Sequence, residues 1–322
     1  MTATVTTREL SFLDADGEPV VEPASLGPEL PVRPSRLSSR QVILEDSRRL
    51  IEYRLPAGTA GDPAVREAFE REVGAAVRIT RSVRGRPYER RFRLVAGYEL
   101  NCDEPFALYE SPLGEPLTGS GGRTLTIRQR DKLRTDLLVA LRVLEGIGLV
   151  HGDIRPATVC WDGTAAQLGR PSAAVYAGNP RWPGVRGPYA PPEQRAATGF
   201  ADCRDDLWSV ARVLFVQLTG QEPDSDGELP DLTELPELAG PLTAAFAPLA
   251  ADRPYVLEIL DRLGTRDPLT EAPLPDDGLA AGRARFDALR RDKRGGPDPA
   301  PIEPEDGHRD RRRRWGRLGS GR

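Results

Sequence analysis

The chain has 322 residues, of which 39% are hydrophobic, and a formal net charge of −4. This length suffices for a sizeable core or two lobes, and the slightly acidic balance excludes a protein that binds nucleic acid through overall positive charge. Cys102, Cys160 and Cys203 are far apart and odd in number, so they predict free thiols rather than a disulfide framework or a zinc site.

The first third of the chain predicts a tail followed by a small sheet. Residues 1–35 are rich in Pro, Glu and Ser, which is typical of a flexible N-terminal arm. In residues 36–116, two β segments lie between Gln41 and Leu55, a helix follows with Asp62 as its N-cap, and two further strands complete the pattern. The order ββαββ predicts a small antiparallel sheet that carries one helix.

The rest of the chain predicts mainly helices. Residues 117–265 contain a long helix with Leu on one face, a helix at DDLWSVARVLFVQLTG and a helical pair from PELAG to LDRL. Residues 266–292 contain one more candidate helix, and residues 293–322 have the composition of a disordered tail. The basic run RRRRWGR in this tail is a weak candidate for binding anionic lipid or nucleic acid, although neighbouring acidic residues favour a solvated tail.

The sequence contains no run of about 18 apolar residues and no basic-then-apolar leader, so we expect no transmembrane segment and a soluble, cytoplasmic protein.

Four motifs follow one another along the second half of the chain. They read HGDIRP from His151, GPYAPPE up to Glu193, DDLWSVARVLFVQLTGQEP from Asp205, and LAADRPYVLEILDRL around Arg253. In this order they resemble motifs of the eukaryotic-like serine/threonine protein kinases of bacteria, over roughly residues 36–265. The resemblance implies a two-lobed α+β fold, in which a small antiparallel sheet with one helix precedes a larger, mainly helical lobe.

The resemblance also implies roles for the loop that begins at His151. Asp153 takes the position of the catalytic base, Arg155 that of the lysine that neutralises the transferring phosphate, and His151 that of a supporting histidine. A structural carboxylate that accepts backbone N–H groups is the alternative interpretation of Asp153. Thr158 stands where these kinases carry a metal-binding Asn.

The positions that hold metal and nucleotide depart from the kinase pattern. Arg170 lies at or beside the position of the metal-binding Asp, and residues 164–191 contain neither Asp nor Glu. Because Mg²⁺ prefers anionic oxygen ligands, an arginine there would repel it. Arg54 takes the position of the lysine that anchors ATP, and the stretch RLSSRQVIL lacks the glycines of a phosphate-binding loop.

Glu72 matches the helix glutamate that pairs with the anchoring lysine in these kinases. A structural Arg54–Glu72 pair is one expectation, and two solvated charges that never meet are the other. Positions that hold the fold together are retained. The resemblance implies that Glu193 and Arg253 form a buried ion pair, and that Asp206 binds the backbone of the His151 loop and so holds its helix to that loop.

The chain keeps the residues that hold the kinase fold together, whereas the residues that bind ATP, metal and phosphate in these kinases are replaced. This combination predicts a pseudokinase. We expect it to act as a scaffold or regulator through a protein partner, without a cofactor. The alternative is a divergent active serine/threonine kinase that uses Asp153 as base together with ATP and Mg²⁺.

Overall fold

The computed structural model describes residues 6–30, 36–119, 125–182, 187–222 and 243–276. The chain divides into two compact units, Met1–Leu274 and Pro275–Arg322, and of the second only Pro275 and Asp276 are described. The predicted tail at 293–322 and most of the predicted helical region at 266–292 lie outside the described residues.

Six strands form a closed antiparallel barrel. They are Thr6–Asp14 (β1), Pro19–Glu29 (β2), Ser38–Leu44 (β3), Arg49–Arg54 (β4), Val95–Glu99 (β5) and Phe106–Glu110 (β6). Around the barrel they follow the order β1-β2-β3-β4-β6-β5. Alternate residues point inward, and the apolar ones fill the barrel between its strands. Where β1 meets β5, a Cβ on Gly97 would lie 2.2 Å from the Phe12 ring, so only glycine allows this close approach. The inward apolar side chains are Leu10, Phe12, Ala24, Leu26, Val42, Leu44, Leu50, Phe106 and Leu108.

The predicted fold class, a two-lobed kinase-like fold with a mainly helical second lobe, is wrong. Residues expected to form a flexible arm instead form β1 and β2, and β1 pairs with both β2 and β5, so the sheet closes on itself. Closure removes the exposed edges that an open sheet would leave. Beyond residue 117, only two helices in the described ranges are longer than seven residues.

Helices α1 (Ala57–Ala60) and α2 (Pro63–Val83) connect β4 to β5. The Asp62 side chain accepts the Ala64 N–H at 3.0 Å, which confirms the predicted N-cap. The face of α2 that carries Phe69, Val73 and Ala76 packs against Tyr109 of β6, on the outside of the barrel.

The two long helices after the barrel are α3 (Ile127–Gly146) and α5 (Arg204–Thr219), which pack in the largest hydrophobic cluster. The predicted helical pair is present in part. Residues 236–242 lie outside the described residues, and in 243–263 only Val256–Arg262 is an α-helix, because prolines at 248 and 254 interrupt the rest. None of the helices in the described ranges is long and apolar enough to cross a membrane. The shorter elements are β7 (Glu115–Pro116), β8 (Leu149–Val150), β9 (Val159–Trp161), β10 (Ala166–Leu168), β11 (Val175–Tyr176), α4 (Pro192–Arg195), α6 (Val256–Arg262) and α7 (Pro268–Glu271).

Candidate functional site

The loop that begins at His151 is fixed by Asp206 of α5. The two carboxylate oxygens of Asp206 accept the backbone N–H groups of His151 at 2.6 Å and Gly152 at 2.9 Å, as the sequence predicts. Burial raises the pKa of Asp206 to about 7, while these two N–H groups act in the opposite direction. Burial also lowers the pKa of His151, which keeps its imidazole neutral near pH 7. The loop is therefore held by hydrogen bonds to buried groups.

Asp153 is held on both carboxylate oxygens by neighbouring side chains. Its Oδ1 accepts Arg155 Nε at 2.7 Å and its Oδ2 accepts the Ser172 hydroxyl at 3.0 Å. Thr158 closes the turn behind it, since its hydroxyl donates to the Asp153 carbonyl at 2.7 Å and accepts the Arg155 N–H at 3.0 Å. The structure thus places Asp153, Arg155 and Thr158 together, in a network of internal bonds.

Glu72 of α2 is buried and pairs with an arginine that lies 98 positions later in the sequence. Its Oε1 lies 3.2 Å from Arg170 Nη1 and accepts the Tyr109 hydroxyl at 3.2 Å. Burial, followed by the Glu72 charge, raises the pKa of Tyr109 well above its usual value, so this phenol stays protonated and donates. The Arg170 guanidinium also stacks on the Tyr53 ring, 3.8 Å from its centroid. Arg170 therefore fills the space between α2 and the barrel.

The expected Arg54–Glu72 pair is wrong. Arg54 points away from α2, where it binds Glu52 and lies 3.4 Å from Glu104 Oε2, with its guanidinium over the Phe106 ring. Successive strand residues face opposite sides of a sheet, so Tyr53 is the β4 residue on the α2 side. The alternation of Leu50, Glu52 and Arg54 on one face is the sequence signal that separates the two positions.

Glu193, Asp205 and Arg253 form a buried charge network behind the loop. The predicted pair is present, since Arg253 Nη2 lies 2.8 Å from Glu193 Oε2, and Arg253 Nη1 also lies 3.4 Å from Asp205 Oδ1. Arg181 makes two hydrogen bonds to Asp205, at 2.9 and 3.0 Å. Asp205 and Arg181 have no counterpart among the predicted site residues.

A cleft of about 600 Å³ opens in front of Asp153. Residues from α2, the His151 loop and the segment after β10 line it. Several of them were not predicted, above all Arg71, whose guanidinium stacks 3.8 Å from the Trp182 ring centroid. A lone tryptophan in a segment rich in Gly, Pro and Ala is the one signal in the sequence that marks this contact. The lining includes Ala68, Arg71, Asp153, Arg155, Ser172, Trp182 and Tyr189.

Comparison with known proteins gives one weak similarity. Over 200 residues the chain is 28% identical to the serine/threonine-protein kinase PksC of Streptomyces coelicolor, and the match covers 52% of this chain and 32% of that kinase. The chain therefore spans about a third of the length of this relative. No protein-family model matches the chain. The similarity indicates a kinase-related chain, and it does not distinguish an active kinase from an inactive relative.

Proposed function

We propose that this kinase-related chain acts by binding a protein partner and does not transfer phosphate. The observation that carries the proposal is the position of Arg170. Its side chain is largely buried against Glu72 and Tyr53, near the place where the kinase resemblance puts a metal-binding carboxylate. A fixed cation at short range disfavours Mg²⁺, because like charges repel strongly where water is excluded.

We propose further that the chain uses neither ATP nor a metal ion. Tyr53, rather than a cationic side chain of β4, faces Glu72, so no lysine or arginine of this strand is available to anchor a nucleotide there. The Thr158 hydroxyl is engaged with the backbone of its own loop. Within the described ranges, no three His, Cys, Asp or Glu residues come together as a set that could hold a metal.

The same contacts favour a binding role. Arg170 joins α2 to the segment after β10 through its ion pair with Glu72. Asp206 fixes the neighbouring loop through two backbone hydrogen bonds. These buried contacts hold in place the surface formed by α2, the His151 loop and the segment after β10. Such a surface loses little further conformational freedom when a partner binds, which favours affinity.

The test uses the purified full chain with ATP and Mg²⁺, with and without EDTA. A ligand at a hundred times its dissociation constant stabilises a protein by about 2.7 kcal/mol, so binding would raise the melting temperature clearly. We expect no EDTA-sensitive rise at millimolar ATP, and no transfer of labelled phosphate to the chain or to a general protein substrate.

Asp153→Asn is the matched variant for both assays. The substitution keeps the shape of the side chain, so the loop should persist, and a phenotype caused by loss of the protein should be complemented by the variant. Mg²⁺-dependent transfer by the wild type that disappears in Asp153→Asn would establish the divergent active kinase instead.

A further inference from the structure

We propose that the 600 Å³ cleft binds an acidic, extended segment of the protein partner, with Arg71 as the residue that receives its carboxylate or phosphate group. This inference rests on the proposed function, because it names the chemistry of the partner. It depends on three features of the cleft: the stacking of Arg71 without a nearby carboxylate, the pairing of the other charged groups, and the apolar part of the lining.

Arg71 is a cation that is held in place and, within the described residues, has no acidic partner. Its guanidinium lies flat against the Trp182 ring, 3.8 Å from the centroid. Stacking engages the face of the guanidinium and leaves the N–H donors at its edge available for an oxyanion. Among the residues that the structure describes, no carboxylate lies within 4.0 Å of this group. An ordered arginine without an acidic partner in the described part of the chain is well suited to bind a carboxylate or phosphate in a bidentate way.

The carboxylates nearby are already engaged. Asp153 is paired with Arg155 and accepts the Ser172 hydroxyl. Glu222 accepts the hydroxyl of Tyr189, which lines the cleft, at 2.5 Å. Arg71 is therefore the charged lining residue whose charge is not balanced within the described part of the chain, and charge complementarity favours an acidic group on the partner.

The remaining lining is largely apolar and suits the side chains beside that acidic group. Ala68 lies on the same face of α2 as Arg71, three residues earlier, and Ile154, Ala173 and Pro188 add further apolar surface. A cleft of this size accommodates a few residues in extended form. The apolar share of the lining favours a peptide over a nucleic acid.

The experiment measures binding of a fluorescein-labelled octapeptide that alternates Glu with Leu, by fluorescence anisotropy, to the full chain. The control peptide carries Gln in place of each Glu. We expect saturable binding of the Glu peptide that weakens as salt is raised, and weaker binding of the Gln peptide. Arg71→Gln should reduce affinity for the Glu peptide about tenfold, since it removes a charge-assisted contact.

Two further variants guard against a trivial result. Arg266→Gln changes an arginine that is 89% exposed and outside the cleft lining, and it should leave binding unchanged. Ala68→Trp keeps Arg71 but fills the cleft, so it should abolish binding even if Arg71→Gln fails to fold. Equal affinity of the wild type and both cleft variants, or no binding to the wild type, would overturn the proposal.

A labelled oligodeoxythymidine is the last probe. Tighter, Arg71-dependent binding of the oligonucleotide than of the Glu peptide would assign the cleft to nucleic acid and overturn the peptide proposal. These outcomes are separate from the phosphate-transfer assay. If the chain binds the peptide and also transfers phosphate, the proposed function is wrong and the inference stands. If it neither binds the peptide nor transfers phosphate, the inference is wrong and the proposed function stands.

Discussion

Glu193→Ala should destabilise the protein markedly, because it removes the nearer of the two carboxylates that pair with the buried Arg253. The Arg253 side chain is 0% exposed and that of Glu193 only 13%. Breaking one partner out of a buried ion pair costs about 3–5 kcal/mol. Arg253 keeps Asp205 Oδ1 at 3.4 Å and the carbonyls of Ala247 at 2.9 Å and Pro248 at 3.1 Å, so we expect the lower end of that range. A loss of about 3 kcal/mol corresponds to a fall in melting temperature of roughly 6–12 °C for a domain of this size.

Urea unfolding measures this loss through the midpoint, and an unchanged slope would show that the unfolded state is the same. Glu271→Ala is the matched control, because Glu271 pairs with Arg266 at the surface, where the side chains are 61% and 89% exposed, and it should change stability by less than about 1 kcal/mol. The double variant Glu193→Ala/Arg253→Met should lose less than the sum of the two single variants. A Glu193→Ala protein as stable as Glu271→Ala, or strictly additive losses, would refute the reasoning.

Three further predictions concern the loop and its surroundings. Gly152→Ala should lower the free energy of unfolding by at least about 2 kcal/mol, because Gly152 has φ +77° and an added Cβ would lie 2.4 Å from the Ala173 carbonyl oxygen. Gly85 is the control, since it has φ +73° but open space around an added Cβ, and Gly85→Ala should cost less in the same urea assay. Burial lowers the pKa of His151 from 6.5, so the unfolded chain binds a proton at this imidazole more readily than the folded chain does. The stability advantage of the wild type over His151→Gln should therefore be present above pH 6.5 and shrink below it, by up to about 1.4 kcal/mol per pH unit. A difference in stability that does not change with pH would contradict this. Burial, followed by the Asp206 charge, raises the pKa of Cys203 to about 12. Iodoacetamide near pH 8 should therefore label this thiol only after the protein is unfolded, as measured by mass spectrometry. Rapid labelling of the native protein would contradict this prediction.

The elements that the sequence predicted well are those with local signals. The N-cap Asp62 and the spacing of Val65, Phe69 and Val73 predict α2, and the leucines at 133 and 137 predict the buried face of α3. These signals lie within one element, so no distant partner is needed to interpret them.

The barrel was missed because its closure is a long-range property. Leu10 and Phe12 in β1, and Ala24 and Leu26 in β2, alternate with polar residues as strands do. Their neighbours Pro, Glu and Ser gave the region the composition of a flexible arm. The pairing of Leu13 with Tyr98, which closes the barrel, joins residues that no local pattern connects.

The site was predicted as far as the motif residues go. The interactions of Asp206 with the loop and of Glu193 with Arg253 follow from motifs that the chain keeps. Arg54 was expected to pair with Glu72, but it lies on the face of β4 that points away from α2. Aligning a short motif does not fix which face of the strand each residue takes. Arg170 then takes the ion pair that Arg54 was expected to make.

Two consecutive residues of α2 now connect this helix to the segment that follows β10. Glu72 holds Arg170 through an ion pair, and Arg71 holds Trp182 through stacking. Both contacts are made by side chains of this chain alone, and under the proposed function they hold α2 to that segment without a nucleotide. Under the proposed function these contacts form on folding, so the Arg71 edge of the cleft is organised before a partner binds.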